Sequence, residues 1–211
     1  MSYLTLALAK GRTAEASINL LANAGIHFSH LNEDSRKLVF YDDDSMIRLI
    51  FVKAVDVPTY VENGAADVGI VGKDNIIEEQ PDIYELLDLE FGQCHFAVAG
   101  FSGTNLHKDG TLTVASKYPT AAEKHFNRQG IPIETIKLNG SVELAPVIGL
   151  ADVIVDIVET GGTLRENGLT ILEEMEAIST RLIVNKASFT TKSERVHTFI
   201  NTLKKGWNDV S

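Results

Sequence analysis

Short apolar runs alternate with helically spaced segments along the chain. Residues 3–9 are almost entirely apolar, and residues 13–24 then place Ala14, Ile18 and Leu21 on one helix face. Further strands are predicted at residues 37–41, 46–52, 67–72, 83–89, 95–99, 112–115, 131–138 and 153–158, with mostly extended chain at 173–185. Further helices are predicted at residues 57–63, 74–80, 120–127 and 192–207. Strands that alternate with helices predict an α/β fold with parallel sheets.

Length and charge narrow the class of protein. The 211 residues allow one large domain or two small ones. A formal net charge of −10 disfavours a nonspecific nucleic-acid binder, so an anionic ligand needs a local basic site. The longest apolar run is shorter than the ~18 residues of a membrane helix, and the N-terminal order of charges is not that of a secretory signal. Because the single cysteine, Cys94, requires no oxidising compartment, we expect a cytoplasmic protein.

Residues 153–168 carry the most informative chemistry. An apolar strand delivers Asp156 and Glu159 to its carboxyl end, and a glycine-rich loop and a helix follow. The loop consists of Thr160, Gly161, Gly162 and Thr163. Glycines allow successive N–H groups to converge on an anion such as a phosphate. Ionised carboxylates would repel that phosphate unless they accept hydrogen bonds from the neutral hydroxyls of an attached sugar. A ribose 5-phosphate meets both requirements, although the spacing alone fits a tight strand-to-helix turn equally well.

At this segment the sequence resembles the ATP phosphoribosyltransferase family, the enzymes of the first step of histidine biosynthesis. The signature positions of that family are matched by Glu143, Gly149, Ala151, Ile154, Asp156, Thr160, Gly161, Thr163 and Leu164. The resemblance also includes ALAKGR at 7–12, SRKL at 35–38, the segment 56–74, SKYP at 116–119 and ELAP at 143–146. It extends over nearly the whole chain.

The resemblance implies a fold of two α/β lobes of the periplasmic-binding-protein-like type, with the active site in the cleft between them. We expect lobe I to comprise residues 1–91 and 176–211, and lobe II, residues 92–175, to carry the phosphoribosyl pyrophosphate loop. The chain length resembles the short form of the family, which works with a separate regulatory subunit similar to histidyl-tRNA synthetase. The implied reaction transfers the phosphoribosyl group of phosphoribosyl pyrophosphate to N1 of ATP and releases pyrophosphate.

The resemblance also implies roles for individual residues. Lys10, Arg12 and Arg36 are the expected catalytic cations beside the leaving pyrophosphate. Phosphoribosyl pyrophosphate is expected to contact Asp156, Glu159, Thr160, Gly161, Gly162, Thr163 and Glu143. ATP is expected to contact Lys53, Asp67 and Gly72. The resemblance also implies Mg²⁺ as the cofactor, held by the diphosphate of the substrate. The histidines show no metal-binding spacing, which disfavours a zinc mechanism.

Two positions depart from the family pattern, and two other functions stay open. A basic residue often stands in the family where this chain has Thr113, and Arg is common where it has Lys53, which keeps the charge but loses the bidentate fork.

A nucleobase phosphoribosyltransferase also ends a strand with acids before a TG loop, but there the acids are usually adjacent. A non-catalytic ligand-binding module of the same fold is the second alternative.

Overall fold

Two mixed β-sheets organise the computed structural model, which describes residues 3–31, 36–44 and 46–208, with the main chain alone for Arg12, Trp207 and Asn208. The strands are β1 (Leu4–Ala9), β2 (Val39–Tyr41), β3 (Ile47–Val52), β4 (Val68–Gly72), β5 (Tyr84–Asp88), β6 (Cys94–Gly100), β7 (Leu112–Ser116), β8 (Ile133–Lys137), β9 (Val153–Val158), β10 (Thr170–Ile178) and β11 (Thr180–Val184). The helices are α1 (Arg12–Asn23), α2 (Val57–Glu62), α3 (Lys73–Glu79), α4 (Pro119–Gln129), α5 (Leu144–Val147), α6 (Gly162–Glu166), α7 (Lys186–Thr191) and α8 (Ser193–Asn208).

The first sheet has the order β2-β3-β1-β4-β11-β5, and the second has the order β10-β6-β9-β7-β8. Strands β3, β1 and β4 are parallel, as are β9, β7 and β8. The prediction of parallel sheets is wrong for β5, β6, β10 and β11, which pair antiparallel with their neighbours, whereas the antiparallel pairing of β2 with β3 is that of a hairpin. Consecutive parallel neighbours need a crossover, but the links from β5 to β6 and from β10 to β11 lead from one sheet into the other, so the alternation of strands and helices does not set the direction of these strands.

The chain forms two compact units, one made of Met1–Gly92 and Ser179–Ser211 and the other of Gln93–Ile178. In the first unit, α1 and α8 contribute to a core that includes Leu6, Leu8 and Leu49, all fully buried. On the opposite face, α2 packs so closely that a Cβ on Gly69 would lie 2.8 Å from Val61. Glycine is therefore required there by packing.

One core cluster of the second unit contains several small residues. Ala97, Ala99 and Ala115 lie with Ile154 and Val158 in one cluster, which also holds residues of α5 and α6. Helices α5 and α6 therefore pack on the same face of the sheet, and Glu143 and Leu164 of these segments line one cavity with the carboxyl end of β9. None of the described helices is long and apolar enough to cross a membrane.

Candidate active site

A cavity of about 260 Å³ opens at the carboxyl end of β9. Its lining consists of Glu143 and the continuous segment from Asp156 to Leu164. The expected phosphoribosyl pyrophosphate residues, Asp156, Glu159, Thr160, Gly161, Gly162, Thr163 and Glu143, are thus brought to one cavity. Its position matches the general rule that ligands bind beyond the carboxyl ends of parallel strands.

The loop at this cavity has the conformation that its glycines suggest. Gly161 is left-handed, with φ of 68° and ψ of 13°, and α6 begins at the next residue. A Cβ on Gly161 would lie 3.2 Å from Arg165 Nη1, and that guanidinium donates a hydrogen bond to the carbonyl oxygen of Thr160 at 3.0 Å. Since the first N–H groups of a helix have no intrahelical acceptor, the turn presents N–H donors suited to an anion.

Carboxylates give the cavity an acidic wall. Burial is the main cause that raises the pKa of Asp156 above its ordinary value, and repulsion by Glu143 acts in the same direction. The N–H of Ile157 donates to Asp156 Oδ1 at 2.8 Å and, with the charge of Lys117, opposes the rise. An ionised Asp156 can only accept hydrogen bonds, so it suits the hydroxyls of a sugar rather than its phosphate.

Three of the other expected residues lie at the carboxyl ends of adjacent parallel strands in the first unit. Lys10 follows β1, Lys53 follows β3, and Gly72 ends β4. Lys10 and Lys53 line one cavity of about 570 Å³, in which the Lys10 ammonium lies 5.8 Å from the centre of the Phe51 ring. The parallel pairing of β1 with β3 therefore concentrates positive charge at this edge.

The two expected catalytic arginines are described to different extents. Arg36 is exposed and immediately precedes Lys37. Lys37 and Lys10 both line a further cavity of the first unit. Arg12 is the first residue of α1, directly after Gly11, whose φ is 110°. The side chain of Arg12 lies outside the described part of the structure, so its role stays a prediction.

Asp67 occupies a different environment from the one expected. It is only 3% exposed and precedes β4, at the opposite end of that strand from Gly72. Its carboxylate accepts from the Thr5 N–H at 2.8 Å, the Ser188 hydroxyl at 2.6 Å and the Lys192 ammonium at 2.8 Å. Because these donors engage both carboxylate oxygens, Asp67 stabilises the first unit, and its expected contact with ATP stays a prediction.

Gly72 is required by the side chain beside it. A Cβ at this position would lie 2.1 Å from Asp74 Oδ1, although the backbone of Gly72 is extended, with φ of −63°. The glycine thus allows the buried Asp74 carboxylate to fold back over the start of α3. Any contact of Gly72 with ATP stays a prediction.

Two cations near the cavity at the end of β9 have no role in the expectations from sequence. Arg165 supports the loop through Thr160, and Lys117 acts on Asp156 through space. Arg165 could have been found because it follows the glycines by one helical turn. Lys117 lies within the SKYP segment, but its position beside Asp156 depends on the pairing of β7 with β9. Within the described residues, no group of three or more His, Cys, Asp or Glu could hold a metal ion.

Fold and site together define an α/β protein of two units in which a glycine turn and carboxylates line a cavity at a strand end. The sequence pattern of HisG, ATP phosphoribosyltransferase, matches residues 53–205. The ATP phosphoribosyltransferase of Oceanobacillus iheyensis is 59% identical over 203 residues, which cover 96% of this chain and 98% of the relative. That of Clostridioides difficile is 52% identical, with 97% and 99% covered. The chain belongs to the ATP phosphoribosyltransferase family.

Solved structures agree with this assignment. A chain of the ATP phosphoribosyl transferase (HisG:HisZ) complex from Thermotoga maritima superposes with a TM-score of 0.86 at 35% identity, with 98% of this chain and 99% of that chain covered. The periplasmic aliphatic sulphonate binding protein SsuA from Escherichia coli gives a TM-score of 0.60 at 12% identity, with 98% and 69% covered. The second likeness concerns the fold alone and confirms the expected two-lobed, binding-protein-like architecture.

Proposed function

We propose that this protein transfers the 5-phosphoribosyl group of phosphoribosyl pyrophosphate to N1 of ATP. The products are phosphoribosyl-ATP and pyrophosphate, and the reaction is the first step of histidine biosynthesis. The observation that carries the proposal is the cavity at the end of β9, where a left-handed glycine turn and two carboxylates line one space. Membership of the family identifies ATP as the acceptor.

The loop and the carboxylates have separate tasks in this reaction. The N–H groups that follow Gly161 hold the 5-phosphate, while Asp156 and Glu159 accept hydrogen bonds from the ribose hydroxyls. Positive charge develops on the sugar ring as the bond to pyrophosphate breaks, and nearby carboxylates stabilise that charge. Glu143 adds to the same negative field, since its charge acts on Asp156. The adenine nitrogen attacks the opposite face of the sugar carbon, which inverts its configuration.

Charge on the leaving pyrophosphate must be neutralised as the bond breaks. We assign this task to Lys10, Arg12 and Arg36, and we assign a contact with ATP to Lys53 and Gly72. The shared cavity of Lys10 and Lys53 supports a polyanion site at this edge of the first sheet. Interactions that strengthen as charge develops raise turnover more than they raise affinity.

Mg²⁺ fits this site as a cofactor that enters with the substrate. Mg²⁺ is commonly bound by substrate phosphates and one or two carboxylates rather than by an all-protein cage. The cavity wall offers carboxylate oxygens, the donor type that Mg²⁺ prefers, so the residues present are compatible with an ion that enters on the substrate. When bound to the diphosphate, the ion would supply positive charge to the leaving group.

We also propose a histidyl-tRNA synthetase-like regulatory subunit as partner, which would make the working enzyme a hetero-oligomer of the short-form type. The support is the Thermotoga maritima structure, a HisG:HisZ complex in which the superposed chain is almost completely covered. We infer a cytoplasmic location because the proposed substrates are metabolites of that compartment.

The test is an assay of the purified chain with and without a HisZ-type subunit, supplied with ATP, phosphoribosyl pyrophosphate and Mg²⁺. Chromatography should detect phosphoribosyl-ATP and pyrophosphate in equal amounts. Hypoxanthine and orotate serve as alternative acceptors that report on nucleobase phosphoribosyltransfer. Release of pyrophosphate with either base but not with ATP would overturn the proposal, and binding of substrates without turnover under every condition would favour a non-catalytic module.

A further inference from the structure

Lys117 lies beside the phosphoribosyl cavity because of strand pairing. Strands β7 and β9 are parallel neighbours, with Ala115 opposite Ile154 and Ser116 opposite Val155. Lys117 and Asp156 are the next residues on these two chains. Since side chains alternate across a sheet, both belong to the face of Ala115 and Ile154, on which the second core cluster lies.

The position of Lys117 is held by a buried serine. The Ser116 side chain is fully buried, donates to the Val155 carbonyl oxygen at 2.6 Å and accepts from the Tyr118 N–H at 2.8 Å. These two bonds tie the turn after β7 to the residue immediately before Asp156. The Lys117 ammonium lies 5.3 Å from the centre of the Tyr118 ring, which further limits where the charge can lie.

The charges near Asp156 are otherwise mostly negative. Charged and titratable groups reach its surroundings from several elements: Glu143 before α5, Lys117 after β7, His95 on β6, Glu159 after β9 and Arg165 on α6. Arg165 is directed at the Thr160 carbonyl, and His95 faces Val158, two residues beyond Asp156. The charge of Lys117 favours ionised Asp156, against the effects of burial and Glu143.

We propose that Lys117 is a further positioning residue of the phosphoribosyl site, which keeps Asp156 in the charged form that accepts hydrogen bonds from the ribose hydroxyls. This inference rests on the proposed function and deepens it. Lys117 acts through Asp156 and not by contact with the substrate. A cation at the end of the neighbouring strand offsets the electrostatic cost of placing three carboxylates around one cavity.

The test compares Lys117→Gln with Lys117→Arg, which keeps the charge, and with Lys137→Gln, which removes a lysine at the end of β8. Lys137 is the matched control because it pairs with Ser116 from the other side of β7, one strand further from Asp156. The first readout is the titration of the Asp156 carboxyl carbon by NMR in the full-length chain, assigned with Asp156→Asn. We expect this titration to move to higher pH in Lys117→Gln alone.

The second readout is the pH profile of kcat/KM for phosphoribosyl pyrophosphate in the complex with the regulatory subunit. Loss of one unit charge near a surface should lower kcat/KM by up to about fivefold at the acidic end. The deficit should disappear as pH rises, because kcat/KM follows the ionisation of the free enzyme. Lys117→Arg should match the unchanged protein throughout.

Two results would overturn the inference. An unchanged Asp156 titration in Lys117→Gln would mean that the two groups are not coupled. A uniform loss of kcat/KM at every pH would mean that Lys117 contacts the substrate directly. Absence of phosphoribosyl-ATP with the unsubstituted protein would instead refute the proposed function, and with it any role of Lys117 in that reaction, while the NMR titration would still report on the coupling.

Discussion

Replacement of Gly161 by alanine tests whether the turn after β9 is the phosphate site. Gly161 is left-handed, with φ of 68°, a conformation that L-residues with a side chain rarely adopt. The new Cβ would also lie 3.2 Å from the end of the Arg165 side chain. A long flexible side chain can move at little cost, so the backbone conformation is the main source of strain.

The strain sets the expected size of the effect. Left-handed geometry costs a non-glycine residue roughly 1–2 kcal/mol, which corresponds to about a 5- to 30-fold loss of affinity if the turn must relax. Gly130 provides a matched control because it is also left-handed, with φ of 71°, but caps the far end of α4. Gly130→Ala introduces similar backbone strain in the same unit. It should therefore reduce the stability of the fold without weakening the binding of phosphoribosyl pyrophosphate.

Calorimetry can measure the dissociation constants of both substrates, and circular dichroism can confirm that each variant is folded. Gly161→Ala should weaken the binding of phosphoribosyl pyrophosphate by about 5- to 30-fold. The binding of ATP should change much less, since the proposed ATP residues lie in the other unit. Equal weakening of both ligands, or of neither, would refute the assignment of residues 160–163 to the 5-phosphate. An equal effect of Gly130→Ala would show that the loss reflects general destabilisation.

Three further predictions, one with a matched control variant, test other interactions in the structure. Arg36→Ala should reduce turnover by about a hundredfold or more, with a smaller change in KM, and steady-state kinetics would contradict the assignment if kcat stayed near normal. Lys192→Met leaves the buried Asp67 carboxylate without its cation and should destabilise the chain by about 1–3 kcal/mol in urea unfolding. Lys186→Met, at an exposed ion pair, should change the free energy of unfolding much less, and equal losses would contradict this reasoning. Asp156→Asn should raise the melting temperature at neutral pH, because the pKa of Asp156 is raised in the folded chain and its ionised form therefore costs stability. The same substitution should lower the affinity for phosphoribosyl pyrophosphate, because the proposed contact with the ribose hydroxyls is weakened. That thermal gain should disappear at acidic pH, where both folded and unfolded chains carry protonated Asp156, and a gain that persists there would have another cause.

Local patterns were sufficient to predict most of the elements. The apolar run before the TGGT loop predicts β9, and Pro58 and Gly64 enclose the helix α2. Strand direction could not be predicted in the same way, because antiparallel neighbours such as β6 and β9 are far apart in sequence. Helix α7 was missed because it has only six residues, too few for helical periodicity, although Asn185 caps it by accepting from the Ser188 N–H.

The same distinction between local and long-range information applies to the site. The loop and Asp156 are contiguous, so their shared cavity follows from one segment of sequence. Asp67 is held by Lys192, 125 residues later in the chain, and no local pattern could distinguish that buried pair from a ligand-binding carboxylate. Lys117 likewise reaches Asp156 through strand pairing, not through sequence proximity.

The acidic character of the phosphoribosyl cavity follows from the demands of its proposed ligand. A phosphate held by cations would require positive charge beside the sugar, which would oppose the charge that develops on the ring as pyrophosphate leaves. Backbone N–H groups avoid this conflict because they bind an anion without adding a formal charge. Glu143, Asp156 and Glu159 can therefore surround the sugar, and the strongest cations of the proposed mechanism are needed only at the pyrophosphate. Lys117 is then the proposed counterweight to the effects of burial and Glu143, which favour the neutral form of Asp156.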